Sequence, residues 1–224
     1  MSEEGDIVGD IFGWVGTCIS TFFFITPVVP FLKLVKGEIT YKESPGVLLI
    51  CSFMNCILWA DYGLIHDRFL QYFPNGLGGS ITLVFITIFL IFLAEKRLSF
   101  VLLYLGCLAI AILGISFLFY RIVRVDITGI VANIFNVLMY AAPGEKIYTV
   151  FKTGNYELIP IWSTFGACAC SASWLIYGIY LPDWLVIIPN LLGVICAILE
   201  IIIYYIFKGK AKKNDVDGGL TQEE

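Results

Sequence analysis

The stretch WADYGLIHDRFLQYFPNGLG, residues 59–78, returns as WLIYGIYLPDWLVIIPNLLG at residues 174–193. Trp59, Tyr62, Gly63, Pro74, Asn75 and Gly78 match Trp174, Tyr177, Gly178, Pro189, Asn190 and Gly193, each pair 115 residues apart. Upstream, Pro45 matches Pro160 at the same offset, and Pro27 matches Pro143 at 116 after a one-residue slip. Shared hydrophobicity alone does not repeat prolines, tryptophans and asparagines in register. The pattern indicates two copies of one helical unit, facing each other across a polar site in a membrane.

Composition supports that setting. Hydrophobic residues are 59% of the 224-residue chain and charged residues 14%, against roughly 25% charged in a soluble domain. Apolar runs of about 20 residues, each able to cross a ~30 Å hydrocarbon core, recur throughout. They are too long for barrel strands, and only helices and closed barrels satisfy their backbone in lipid. The fold class expected is an all-α integral membrane protein with seven transmembrane helices near 10–32, 44–65, 69–94, 98–119, 125–144, 158–180 and 184–207.

Three helices is an odd number, so tandem copies would be inverted in the bilayer. A fourth helix at 98–119, with no counterpart in either copy, restores the same orientation to both. The plan is 3+1+3: a short N-terminus at 1–9, the first repeat at 10–94, the linker helix, the second repeat at 125–207, and a tail at 208–224. The polar tail reads as disordered. The acidic start has no basic flank of a cleaved signal peptide, so the first helix is expected to stay.

Basic residues set the orientation. Lys33, Lys36, Lys42, Lys96, Arg97, Lys146, Lys152 and the four lysines at 208, 210, 212 and 213 fall on one side; Arg68, Arg121 and Arg124 fall on the other. The N-terminus is therefore expected outside or in a lumen and the C-terminus in the cytosol, in the plasma membrane or an endomembrane. The seven cysteines all lie in expected helices without metal spacing and read as packing residues. One histidine, His66, and no phosphate-binding glycine loop leave no catalytic constellation. No enzyme, cofactor, metal or nucleic-acid partner is expected.

Chemistry concentrates at the repeated positions. Each proline of Pro74-Asn75 and Pro189-Asn190 frees the carbonyl four residues back, at Leu70 and Leu185. The asparagine that follows offers a carboxamide inside the apolar span, where it must find partners or line a wet cavity. Asn75 and Asn190 thus read as ligands for a polar, uncharged solute. Trp59 and Trp174 offer ring faces to a sugar and an N–H to a hydroxyl; Trp14, Trp162 and Trp184 fit interfacial anchoring better. Pro27 and Pro143 end long apolar runs and read as hinges, whereas Pro45 and Pro160 can kink or simply start a helix. Asp61 aligns with Ile176 and has no acidic counterpart; it either lines the outer mouth or sits exposed at the interface. Glu200 lies about two turns from the cytosolic end and also lacks a symmetric partner. That asymmetry argues against ion coupling and for passive movement of a neutral solute.

Residues 55–63 (NCILWADYG), Pro74-Asn75-Gly76, residues 139–143 (MYAAP), Ser173-Trp174 with Tyr177-Gly178, and Pro189-Asn190 together resemble the SWEET sugar transporters over residues 10–208. SWEETs are an instance of the parallel 3+1+3 repeat. The resemblance implies a bidirectional sugar uniporter working by alternating access. It implies a sugar site at Trp59, Asn75, Trp174 and Asn190 and a cytosolic hinge and gate at Pro27, Pro45, Pro143 and Pro160. It also implies an outer gate at Tyr62 and Asp183. Two departures stand out. In family members a helix-2 proline often lies a turn nearer the asparagine than Pro45 does, and Trp59 replaces a residue often smaller in plant members. A narrowed pocket favours a monosaccharide of the glucose class over a disaccharide, and a homo-oligomer is expected.

Alternatives remain. A seven-helix receptor shares the topology but has no reason to repeat three helices. A retinal protein needs a lysine in its last helix, and 184–207 has none. A PQ-loop-type transporter shares the helix plan but carries Pro-Gln pairs, whereas Val28 and Gly144 follow Pro27 and Pro143.

Overall fold

The computed structural model describes residues 3–38, 46–92, 127–220 and a few positions between 102 and 114. Pro45, Lys42, Arg121, Arg124 and most of the expected linker helix lie outside the described residues. The first half comprises α1 (Glu3–Ile25), α2 (Val28–Val35), α3 (Gly46–Ile65) and α4 (Phe69–Phe92). The second comprises α5 (Ile127–Met139), α6 (Ala141–Thr153), α7 (Ile161–Tyr180) and α8 (Trp184–Leu220), with a 3₁₀ turn at Tyr156–Leu158. Among the described residues, Ile7–Ile25, Leu48–Ile65, Phe69–Phe89, Ile127–Thr153 and Trp184–Ala211 are long and apolar enough to cross a membrane. At ~1.5 Å per residue the 20-residue α7 covers a similar ~30 Å.

Several boundaries differ from the sequence reading. The span 10–32 is two helices, because Pro27 cannot donate to the Phe23 carbonyl. Thr26 takes that acceptor instead, through its N–H at 3.2 Å and its hydroxyl at 2.8 Å. The span 125–144 likewise breaks at Tyr140, where Pro143 removes the bond to Met139 four residues back. Pro160 is the residue just before α7 rather than a kink within a helix. Residues 3–9 belong to α1, and α2 and α6 extend into what the sequence reads as loops. Residues 208–220, which the sequence reads as a disordered tail, continue α8 to Leu220.

The packing is reciprocal. In the first half α4 packs on both α1 and α3; in the second α8 packs on both α7 and α5. Between the halves α1 lies against α7 and α3 against α5. The first helix of each copy therefore meets the second helix of the other, as a two-fold arrangement requires. The carbonyls freed by the two prolines are satisfied the same way. The Thr17 hydroxyl donates to Leu70 O at 3.5 Å and the Asn133 amide to Leu185 O at 3.0 Å, from positions 116 residues apart. In hydrocarbon an unmet carbonyl costs several kcal/mol, so these cross-helix bonds hold α1 to α4 and α5 to α8.

Core packing differs between the two ends. At the Tyr62 end one cluster draws on both halves: Leu58, Trp59, Tyr62 and Leu70 with Ala132, Tyr177 and Val186. At the Pro27 end each half buries its own cluster. Phe31, Leu34, Leu49, Phe85 and Phe89 form one, with the Phe31 and Phe85 rings stacked at 5.0 Å. Val150, Ile159 and Ile203 form the other.

The turn between α3 and α4 depends on Gly63, where a Cβ would stand 2.6 Å from the Tyr72 backbone nitrogen. At the equivalent Gly178 the nearest atom is the end of a side chain, Val186 Cγ1 at 3.0 Å. Gly63→Ala is therefore expected to destabilise by about 1–3 kcal/mol, as overpacking does, and Gly178→Ala by less. Thermal unfolding in detergent micelles checks the order; equal losses would contradict it.

Candidate solute-binding site

Between the halves lies a cavity of about 240 Å³. All four residues expected to bind solute, Trp59, Asn75, Trp174 and Asn190, line it. Trp59 is only 7% exposed, whereas Trp14, Trp162 and Trp184 are 50%, 84% and 71% exposed, so burial separates the cavity tryptophans from the surface ones. Each cavity tryptophan packs edge-on against the tyrosine one turn on: Trp59 on Tyr62 at 5.5 Å and 88°, Trp174 on Tyr177 at 5.3 Å and 89°. Each asparagine donates one amide N–H back to its own helix. Asn75 bonds Gln71 O at 2.8 Å and Asn190 bonds Val186 O at 2.7 Å. One bond each leaves the carboxamide oxygen and a second N–H for a solute.

The sequence reading missed most of the other lining groups. They come as repeat equivalents too: Ser20 with Asn136 and Phe24 with Tyr140 at 116, Asn55 with Cys170 and Gln71 with Val186 at 115. Asn55 donates to Asn136 Oδ1 at 2.8 Å, joining α3 to α5. On the opposite seam the Trp174 Nε1–H donates to Ser20 Oγ at 3.0 Å, and Ser20 Oγ lies 3.2 Å from Cys170 Sγ. The Tyr140 hydroxyl donates to Pro189 O at 2.7 Å. These pairs differ in residue type, so a search for identical repeats passes over them. Polar residues in apolar spans, such as Asn55 and Asn136, are the signal that could have found them.

No charged side chain lines the cavity among the described residues. Asp61 is half-buried away from it, and its Oδ2 has no hydrogen-bond partner among the described residues. Glu200 is buried and accepts from the Thr164 hydroxyl at 2.8 Å, so it neither reaches the surface nor touches the cavity.

Toward the Tyr62 end a charged contact joins the two halves. The Tyr62 hydroxyl donates to Asp183 Oδ2 at 2.8 Å, and the Arg68 guanidinium forms an ion pair with the same oxygen. The other oxygen of Asp183 accepts from the Leu185 N–H at 2.9 Å at the start of α8, which fixes the carboxylate. Tyr62 and Asp183 thus meet as the sequence reading grouped them. Arg68 was missed, although it stands 115 residues before Asp183 and so occupies the equivalent place in the first copy. Burial opposes the charge on Asp183, but the bonds from Arg68 and Tyr62, the Arg68 charge and the Leu185 N–H together hold its carboxyl below the ordinary carboxylate range. Burial likewise opposes the Arg68 charge, and Asp183 outweighs it. At the opposite end lie the helix breaks beside Pro27 and at Tyr140, each in the half that buries its own core, and Pro160 is exposed before α7.

The sequence model of the family described as "Sugar efflux transporter for intercellular exchange" matches residues 10–97 and again 126–212. The chain belongs to the SWEET family. It is 31% identical over 205 residues to the bidirectional sugar transporter SWEET1a of Sorghum bicolor, covering 88% of this chain and 76% of that protein. It is 29% identical over 219 residues to the bidirectional sugar transporter SWEET1 of Arabidopsis thaliana, covering 95% and 88%. The fold matches the 3.7 Å structure of a eukaryotic SWEET transporter with a TM-score of 0.83 at 22% identity, over 92% of this chain and all of that one. The all-α, 3+1+3 membrane fold expected from the repeat is thus the SWEET fold, and the receptor, retinal and PQ-loop alternatives fall away.

The depressed Asp183 gives this contact a defined pH dependence. A carboxylate with a lowered folded pKa contributes stability that is fully present above its unfolded value of about 3.9 and lost as pH falls through the folded value. Spin-label distances across this end are therefore expected to stay constant from pH 8 to 5 and lengthen only in stronger acid. Widening between pH 7 and 5 would contradict the assignment.

Proposed function

We propose that this SWEET chain is a facilitative, bidirectional sugar transporter that carries one glucose-class monosaccharide at a time by alternating access. The observation that carries the reading is the cavity: uncharged, shared by both halves, and lined by two buried-face tryptophan–asparagine pairs from equivalent positions. Two ring faces can cover the C–H faces of a pyranose while two carboxamides exchange hydrogen bonds with its hydroxyls. Its volume of about 240 Å³ falls just below the usual 300–1,000 Å³ of small-molecule sites, which suits one hexose ring better than two. Names of relatives point the same way, since those proteins are bidirectional sugar transporters.

The mechanism follows from the unequal ends. With Arg68, Tyr62 and Asp183 joined, solute enters and leaves only at the Pro27 end. Rocking of the halves about the site would part the ion pair and bring the two proline-end cores together, and the helix breaks beside Pro27 and at Tyr140 are where the backbone can take up that change. By the excess of lysine at the Pro27 end, that end faces the cytosol and the ion pair faces outside or a lumen. With no acid among the described residues that line the cavity, flux is downhill and independent of a proton gradient.

Radiolabelled glucose uptake into proteoliposomes tests this. Asn75→Ala and Asn190→Ala are expected to cut uptake about tenfold or more, the factor carried by 1.4 kcal/mol of lost hydrogen bonding, with folded protein recovered in normal amount. Uptake in the wild type should be the same with and without a pH gradient. Absence of glucose-class flux at any pH, or strict dependence on a proton gradient, would overturn the reading.

A further inference from the structure

The two third-helix positions that face the cavity one turn before the asparagines do not match. In α4 the residue is Gln71; in α8, 115 residues on, it is Val186. Gln71 is only 3% exposed, and its Oε1 is buried without a hydrogen-bond partner among the described residues, although the residue lines the cavity. Its backbone N–H bonds Arg68 O at 3.0 Å, so it stands one turn below the ion pair. A buried carboxamide oxygen in an apolar span calls for a donor. An amide oxygen can only accept, whereas a sugar hydroxyl can donate. Val186 offers methyl groups at the equivalent place.

A pseudo-two-fold site with matched walls would accept a ring in either of two poses related by the axis. We propose that Gln71 is a specificity-determining residue of the sugar site: its oxygen accepts a hydrogen bond from one particular sugar hydroxyl. Val186 makes the flipped pose leave that hydroxyl unpaired, so the sugar binds in one orientation. This rests on the sugar-transporter reading of the cavity and adds which side chain reads the sugar and why the two halves are not interchangeable to it.

The test is competition of glucose uptake in proteoliposomes by the series of monodeoxy and monodeoxyfluoro glucoses. Fluorine replaces a hydroxyl at similar size but cannot donate. The wild type should reject the deoxy and fluoro analogues at one ring position about tenfold more than at the others, the usual scale for an unmet buried acceptor. Gln71→Met, of similar length without an acceptor, should bind glucose about tenfold more weakly and lose that positional preference. Gln71→Glu, which keeps an acceptor oxygen, should retain it. A wild type that carries glucose but shows no positional preference overturns the inference, as does a Gln71→Met protein whose preference is unchanged. The first result also covers an oxygen met only by a bound water. A wild type that carries no glucose at all fails instead at the transporter reading. Should Gln71→Met not fold, the wild-type series together with Gln71→Glu still decides, since an acceptor-keeping variant that shifts the preference to another position also contradicts the inference.

Discussion

Two copies of one unit, related by an axis running between them, bring each residue near that axis against its own equivalent. A charge there would meet a like charge, and two like charges a few ångströms apart in a partly buried place repel by several kcal/mol. At the Tyr62 end the two copies instead carry opposite signs at the equivalent position, Arg68 in one and Asp183 in the other. What would have been repulsion is the clasp that joins the halves. Tyr62 and the Leu185 N–H then fix the carboxylate, and the shared core of Trp59, Tyr62, Tyr177 and Val186 packs directly beneath.

Among the described residues the opposite end carries no such clasp. There the two halves bury separate clusters, around Phe31 and Phe85 in one and Val150 and Ile203 in the other. The prolines serve this arrangement at two levels. Pro74 and Pro189 sit within continuous helices, and the carbonyls they release are taken by Thr17 and Asn133, which tie each first helix to its third. Pro27 and Pro143 instead break their helices, so α2 and α6 are separate segments packed on α4 and α8 of their own half. Among the described residues the bonds between helices gather around the cavity and the Tyr62 end, an arrangement that suits a rocking carrier.

Much of this was legible in the residues. Proline, tryptophan and asparagine recurring at 115 inside apolar runs identified the two units and four of the cavity's side chains, because such residues are too costly in lipid to recur without a reason. Identity matching could not find the mismatched pairs. Asn55 opposite Cys170, Ser20 opposite Asn136 and Gln71 opposite Val186 line the same cavity, but their chemistry differs between copies, and only packing shows them as partners. Arg68 read as one of a few basic residues on the outer side until the offset to Asp183 met a distance. The polar tail shows no apolar periodicity from which a helix could be read, and α8 runs through it to Leu220.

The central claim is that parting of Arg68 and Asp183 is a required step in moving solute. Cysteines placed at 68 and 183 in an otherwise cysteine-free protein, joined by a short bifunctional thiol reagent cleavable by reductant, test it in proteoliposomes. The account predicts glucose flux that stops on cross-linking and returns on reduction. Flux that continues unchanged with the two positions joined would contradict it.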